Sequence, residues 1–220
     1  MEKIMESLPF MLEGSVVTFE IFALTLVLSL PLGLPIALGS NSHFKPLSWL
    51  CKTYVWIFRG TPLLLQLFFF YFFFPMQLGW QISGFAAVII AFVLNYAAYF
   101  SEIYRGGINS IDRGQYEAAH ALGLSKSQTM KDIILPQTMK ATLPPIVNEA
   151  IILVKDTALA SSLGTVLELM KATNSAVNRT TDLTPFFAAA VIYLVMTFVL
   201  TLLAGRLEKH FSRYDAKEEW

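Results

Sequence analysis

The residues of this chain best equipped for chemistry are polar ones stranded inside long apolar runs. Asn95, Tyr99 and Glu102 fall at i, i+4 and i+7, which is one face of a helix. Glu149 and Asp156 share a face of a second such run, with Asn148 and Lys155 on the adjoining face. Glu20 and Gln66 each stand in a further run. A charge or amide facing hydrocarbon is costly, so such residues default to a partner group or a water-filled cavity. Read singly, each is explained by a hydrogen bond between helices, such as Lys155 paired with an acid. Read together, two polar stripes point to a water-lined path for a polar solute. Asn95 and Asp156, nearest the middle of their runs, are the preferred solute-contacting pair. Glu102 and Glu149 lie nearer one end and serve equally well as struts for an adjoining loop.

A second feature is Arg59-Gly60-Thr61-Pro62. Pro62 lacks a backbone donor and Gly60 loosens the chain, so a helix is interrupted or begins here. An interruption at membrane depth is tolerated where it lines protein or a cavity, and Thr61 would then face the path. Catalytic signatures are missing. No phosphate-cradling G-x-x-x-x-G-K-[ST] loop occurs, and His43, His120 and His210 are too scattered for a metal site. No nucleophile stands beside a base. The chemistry expected is passage, with no enzyme activity, no metal and no cofactor in this chain.

The elements that must position these groups are membrane helices. Of 220 residues, 55% are hydrophobic and 15% charged, and the mean hydropathy is +0.56. Five runs are long enough to cross ~30 Å of hydrocarbon, at 15–38, 54–74, 84–103, 141–163 and 185–205. Each must be helical, because lipid offers backbone groups no partners. The expected fold is an all-α membrane protein of five transmembrane helices in one domain. Twelve Lys and Arg residues fall on one side, including Lys45, Lys52, Arg105, Lys131, Arg206, Arg213 and Lys217, against Lys3, Lys171 and Arg179 on the other. The excess marks the cytoplasmic side, which places the N-terminus outside and the C-terminus inside. Trp49, Tyr54 and Trp56 suit the inner interface and Trp80 the outer one. Residues 4–12 read as a short interfacial helix broken at Pro9, with no cleaved signal peptide. Residues 166–184 form the longest external segment, polar enough for one surface helix. The lone Cys51 excludes an intrachain disulfide, and zero net charge argues against nucleic acid as a partner.

Between the third and fourth runs lies a charged loop, residues 112–136. Residues 115–122 are good helix formers, and Gly123 stands where a helix turns left-handed and stops. Ser125 and Gln128 have the spacing of a capping box, and Pro136 should end the second helix. Ala118, Ala119 and Ala121 give the first helix a small face. Such a face buries little area of its own and suits the groove of another protein. A helix-turn-helix for DNA is the rival reading, opposed by the charge balance and by the tether to lipid on both sides.

Glu117-Ala118-Ala119, Gly123 and Ile134-Leu135-Pro136 resemble the cytoplasmic loop of the membrane subunits of ATP-binding-cassette importers. Phe58-Arg59-Gly60-Thr61-Pro62, Ser101-Glu102-Ile103-Tyr104-Arg105-Gly106-Gly107-Ile108, and Asn148-Glu149 leading to Leu153-Val154-Lys155-Asp156-Thr157 are similar to the polar amino acid permeases of that class. The resemblance implies a second permease subunit, identical or related, and two ATPase subunits that bind ATP and Mg. It also implies an extracellular or periplasmic amino acid-binding protein, and a place in the bacterial inner membrane. It makes Glu117, Ala118, Ala119, Gly123 and Leu124 residues that couple to the ATPase. The substrate path is then expected from Asn95, Asp156, Thr61, Gln66, Glu20, Glu102, Glu149 and Lys155. The acids favour a cationic amino acid such as arginine, lysine or histidine. Glutamine, glutamate or cystine import shares the architecture, and a stand-alone secondary transporter or channel is the competing class. Ala158 stands where serine is common, and Glu20 where a neutral residue is common.

Overall fold

The computed structural model describes residues 2–212; Arg213 and Lys217, counted above among the basic residues, lie outside them. The helix that organises the rest is the fourth, α4 (Gly84–Ser110). Phe92, Tyr96 and Phe100 recur every four residues along it and are almost wholly buried. That stripe is met by α1 (Glu2–Ser40), α2 (Lys45–Gly60), α3 (Leu63–Leu78) and α7 (Leu135–Asp156). A Cβ on Gly107 would come within 2.3 Å of the Thr142 side chain, so the bare glycine is what lets α4 and α7 cross closely.

Helix α1 is continuous through Pro9, Pro31 and Pro35. The break expected at Pro9 is absent. A proline inside a helix costs ~3 kcal/mol, and near Pro9 it is offset by packing of Phe10, Met11 and Gly14 against Leu169, Ala172 and Ala189. Tyr54, expected at the inner interface, instead turns inward and donates to the Leu94 carbonyl of α4. Trp49, Trp56 and Trp80 are exposed.

The second expected span is two helices. α2 ends at Gly60, Thr61 and Pro62 are extended, and α3 leaves at a bend of 107°. The five continuous crossings are therefore not reproduced. Among the described residues three helices are long and apolar enough, at Ser7–Ser40, Gly84–Ser110 and Thr184–Lys209, and the bent pair makes a fourth if it is one span. Helix α7 falls short because Pro144, Pro145, Asn148, Glu149, Lys155 and Asp156 dilute it. It continues as a 3₁₀ turn over Thr157–Leu163 and stops at the left-handed Gly164.

The loop after α4 carries α5 (Arg113–Ala121), which starts two residues earlier than expected and is capped by Asp112. Gly123 has φ +79°, and the capping box of Ser125 and Gln128 is formed in both directions. The helix it opens, α6 (Lys126–Gln128), passes through a π turn at Thr129–Ile134 straight into α7. Pro136 therefore does not end a helix. The wide turn resets the hydrogen-bond register, and Pro136 sits in the first turn of α7, where its missing donor is no loss. Beyond α7, helix α8 (Leu169–Thr180) packs on α1, and α9 (Thr184–Ser212) closes the bundle with most of its apolar surface exposed.

Candidate functional site: a cavity at the helix break

The break between α2 and α3 leaves the carbonyls of Phe58 and Thr61 without helical partners. Two buried amides supply them. Gln66 donates from Nε2 to the Phe58 and Thr61 oxygens at 2.9 and 3.1 Å. Asn95 donates from Nδ2 to the same Phe58 oxygen at 3.0 Å, and to Gln66 Oε1 at 3.0 Å. A polar cross-brace thus fixes the break against the middle of α4. Buried amides with every donor used define geometry as much as they bind.

On the open side of this brace lies a cavity of about 510 Å³. Its wall includes Arg59, Gly60, Thr61, Asn95, Tyr96, Tyr99, Glu149 and Asp156. Tyr96 donates its hydroxyl to Asp156 Oδ2 at 2.8 Å, joining α4 to the end of α7. Glu102, one turn beyond Tyr99, accepts two hydrogen bonds of 2.8 Å from Arg105 and lies 3.6 Å from Arg59 Nη1. The Arg59 guanidinium also rests over the Tyr99 ring, 5.1 Å from its centroid. The wall carries two carboxylates and one guanidinium, an acidic surface able to hold a cation by hydrogen bonds and charge.

Of the residues named from sequence, Asn95, Asp156, Thr61 and Glu149 meet at this cavity. Gln66 stands behind Asn95 as its brace. Glu102 lies outside the wall, in an adjoining hollow. Glu20 and Lys155 are exposed on the outside of the chain and belong to neither hollow. Tyr96 was not singled out from sequence, although it precedes Tyr99 by one helical turn.

In the loop, Glu117, Ala118 and Ala121 are exposed while Ala119 is buried. The small face is therefore split, and Ala119 packs against its own chain. The protruding apolar residue is Leu122, 80% exposed. The turn beyond it is closed by Gly123 N–H donating to the His120 carbonyl and Leu124 N–H to the Ala119 carbonyl. Leu124 is half-buried and lines a groove of about 410 Å³ with His43, Tyr116 and His120. A large apolar side chain directly before a helix-ending glycine was the available signal for Leu122.

The model of the family described as binding-protein-dependent transport system inner membrane component matches residues 29–213. The chain belongs to this family. It is 41% identical over 208 residues to the arginine transport system permease protein ArtQ of Bacillus subtilis (strain 168), covering 94% of this chain and 95% of the relative. It is 38% identical over 200 residues to a putative glutamine transport system permease protein GlnP of Rickettsia felis, covering 91% and 92%. To the L-cystine transport system permease protein TcyB of Bacillus subtilis it is 37% identical over 211 residues, covering 95% and 89%. Among solved structures, an amino acid ABC transporter crystallised with histidines aligns with a TM-score of 0.87 at 34% identity, over 94% of this chain and 96% of that one. The inward-facing MetNI methionine ABC transporter aligns at 0.74 and 19% identity, a likeness of fold. This permease of the ABC importer class is thus similar to carriers of amino acids of more than one charge.

Proposed function

We propose that the chain is one half of the passage of an ATP-driven importer of cationic amino acids. Two copies, or this chain and a close relative, stand side by side in a bacterial inner membrane, N-terminus outside and C-terminus in the cytoplasm. An external binding protein delivers the solute, and two ATPase subunits receive Leu122 and the exposed side of α5. As the ATPases close, the α5 pegs move with them and the spans alternate between outward and inward access. ATP and Mg stay on the ATPase subunits; this chain contributes no catalytic group.

The observation that carries the substrate reading is the cavity wall, where Glu149 and Asp156 outnumber Arg59. An ammonium or guanidinium would be held by those carboxylates, while the cargo's own carboxylate meets Arg59. The test is ATP hydrolysis by the complete reconstituted complex against each of the twenty amino acids. Stimulation by arginine, lysine or histidine is expected, and stimulation by neutral amino acids alone would overturn the cationic assignment. A neutral polar cargo is the second reading, favoured by the guanidinium in the wall and by the glutamine and cystine in the names of relatives.

A further inference from the structure

The cavity has a neighbour. A second hollow of about 360 Å³ is lined by Lys52, Val55, Trp56, Arg59, Gly60 and Glu102, so Arg59 and Gly60 belong to both walls. Glu102 is seven residues further along α4 than Asn95, which at ~1.5 Å per residue sets the second hollow about 10 Å closer to the α5 loop. Arg59 and Gly60, which the two walls share, thus stand on the side of the first cavity that faces that loop.

Arg59 is held there loosely. Its Nη1 is 3.6 Å from Glu102 Oε2, longer than a hydrogen bond, and its other contact is the Tyr99 ring face. The firm grip on Glu102 belongs to Arg105, whose Nε and Nη2 both donate at 2.8 Å. Two guanidinium groups thus share one carboxylate, and Arg59 is the one free to leave it. Glu149, in the wall of the first cavity, lies within electrostatic reach of the same cation. Arg59 also stands in the last turn of α2, one residue before Gly60 ends it, where the 107° bend concentrates any change of helix angle.

We propose that Arg59 is a latch between the two hollows. Resting on Tyr99 and Glu102 it closes the route from the cargo cavity to the inner hollow. The α-carboxylate of a bound amino acid competes with Glu102 for the guanidinium and draws it aside. The trigger is therefore the part common to all amino acids, and the side-chain preference stays with Glu149 and Asp156. This inference rests on the importer reading.

The experiment uses the complete complex in proteoliposomes loaded with labelled arginine or, separately, labelled glutamine. Passive efflux is measured without ATP, and net uptake per ATP hydrolysed with it. For Arg59→Ala, efflux should rise on the order of tenfold, the equivalent of ~1.4 kcal/mol of lost closure, and uptake per ATP should fall. Arg59→Lys keeps the charge without the planar fork and should lie between the two. Glu102→Gln, which leaves Arg59 in place but removes its anchor, should leak in the same direction by a smaller factor. Variants as tight as wild type with unchanged uptake per ATP would overturn the latch. So would Arg59→Ala complexes that are merely less thermostable and do not leak. If Arg59→Ala does not assemble, the Glu102→Gln result decides alone. Failure of the wild-type complex to accumulate either amino acid would strike the importer reading, an outcome distinct from a tight Arg59→Ala.

Discussion

The cavity and the α5 loop treat their functional groups in opposite ways. Around the cavity, polar groups find partners within the chain: Gln66 and Asn95 serve the broken helix, and Tyr96 serves Asp156. At the loop, the backbone is closed by its caps while Leu122 stands out unsupported. A site that must hold a small solute is preorganised by its own scaffold. A site that must receive force from another protein keeps a rigid backbone and leaves its contact surface uncovered. On the proposed function, the difference follows from what each region would meet: a small solute at the cavity and an ATPase subunit at the loop.

The change with the largest expected effect strikes the loop. Gly123→Asp places a side chain at φ +79°, where a non-glycine residue costs ~1–2 kcal/mol. No atom lies within 4 Å of the added Cβ, so the damage is to the turn and to whatever docks there. Uptake should fall below detection while membrane insertion stays normal. Wild-type uptake by this variant would erase the contrast between the two regions.

Next comes the cavity. Asp156→Ala removes both a carboxylate from the wall and the acceptor of the Tyr96 hydroxyl. Uptake of a cationic amino acid should drop roughly 10- to 100-fold, as a hydrogen bond to a charged group contributes ~1.5–3 kcal/mol. Basal ATP hydrolysis should remain, because the loop is untouched. Loss of both together would mean that the regions are not separable.

Leu122→Ser should weaken binding of the ATPase subunits roughly tenfold or more, since burying a leucine side chain contributes ~1.5–3 kcal/mol. Binding measured on the detergent-solubilised permease reads it directly. Ala119→Ser, at a buried position, should act on loop stability instead.

The smallest effect on uptake is expected at Glu168, which caps α8 outside the spans and acts on stability. It is fully buried, accepts from the backbone N–H groups of Met170 and Lys171, and receives the Tyr193 hydroxyl at 3.4 Å. Burial outweighs those hydrogen bonds and pushes its carboxyl from 4.5 up to about 7. A raised carboxylate favours the protonated fold, so its contribution is complete below pH 4.5 and is lost as pH rises through about 7. The stability of the complex to thermal unfolding should fall across that window by on the order of 3 kcal/mol. Glu168→Gln should flatten the dependence, and an unchanged slope would remove Glu168 from the account.

How much of this was legible depends on range. Gly123, the capping box and the break at Gly60–Pro62 were readable because each is set by residues within one turn of it. Asn95, Glu149 and Asp156 converge as helical spacing suggested, since one face of α4 meets one face of α7. The rest is tertiary. Gln66 and Asn95 became braces because the break exposes carbonyls beside them, which no spacing rule states. Pro136 passes within a helix because a π turn absorbs it, and α7 does not stand out as a span by length and composition because it is polar enough to need cover from neighbours. Glu168 was missed because a carboxylate in a polar segment reads as solvated until the packing of α1, α8 and α9 hides it.

The claim on which everything else depends is that this chain opens a path only when driven from outside itself. The direct measurement is labelled arginine uptake into proteoliposomes holding either the chain alone or the chain with its ATPase subunits, binding protein and ATP. Uptake confined to the complete, ATP-supplied assembly is the expected result. Comparable movement of arginine through vesicles that contain only this chain would contradict it.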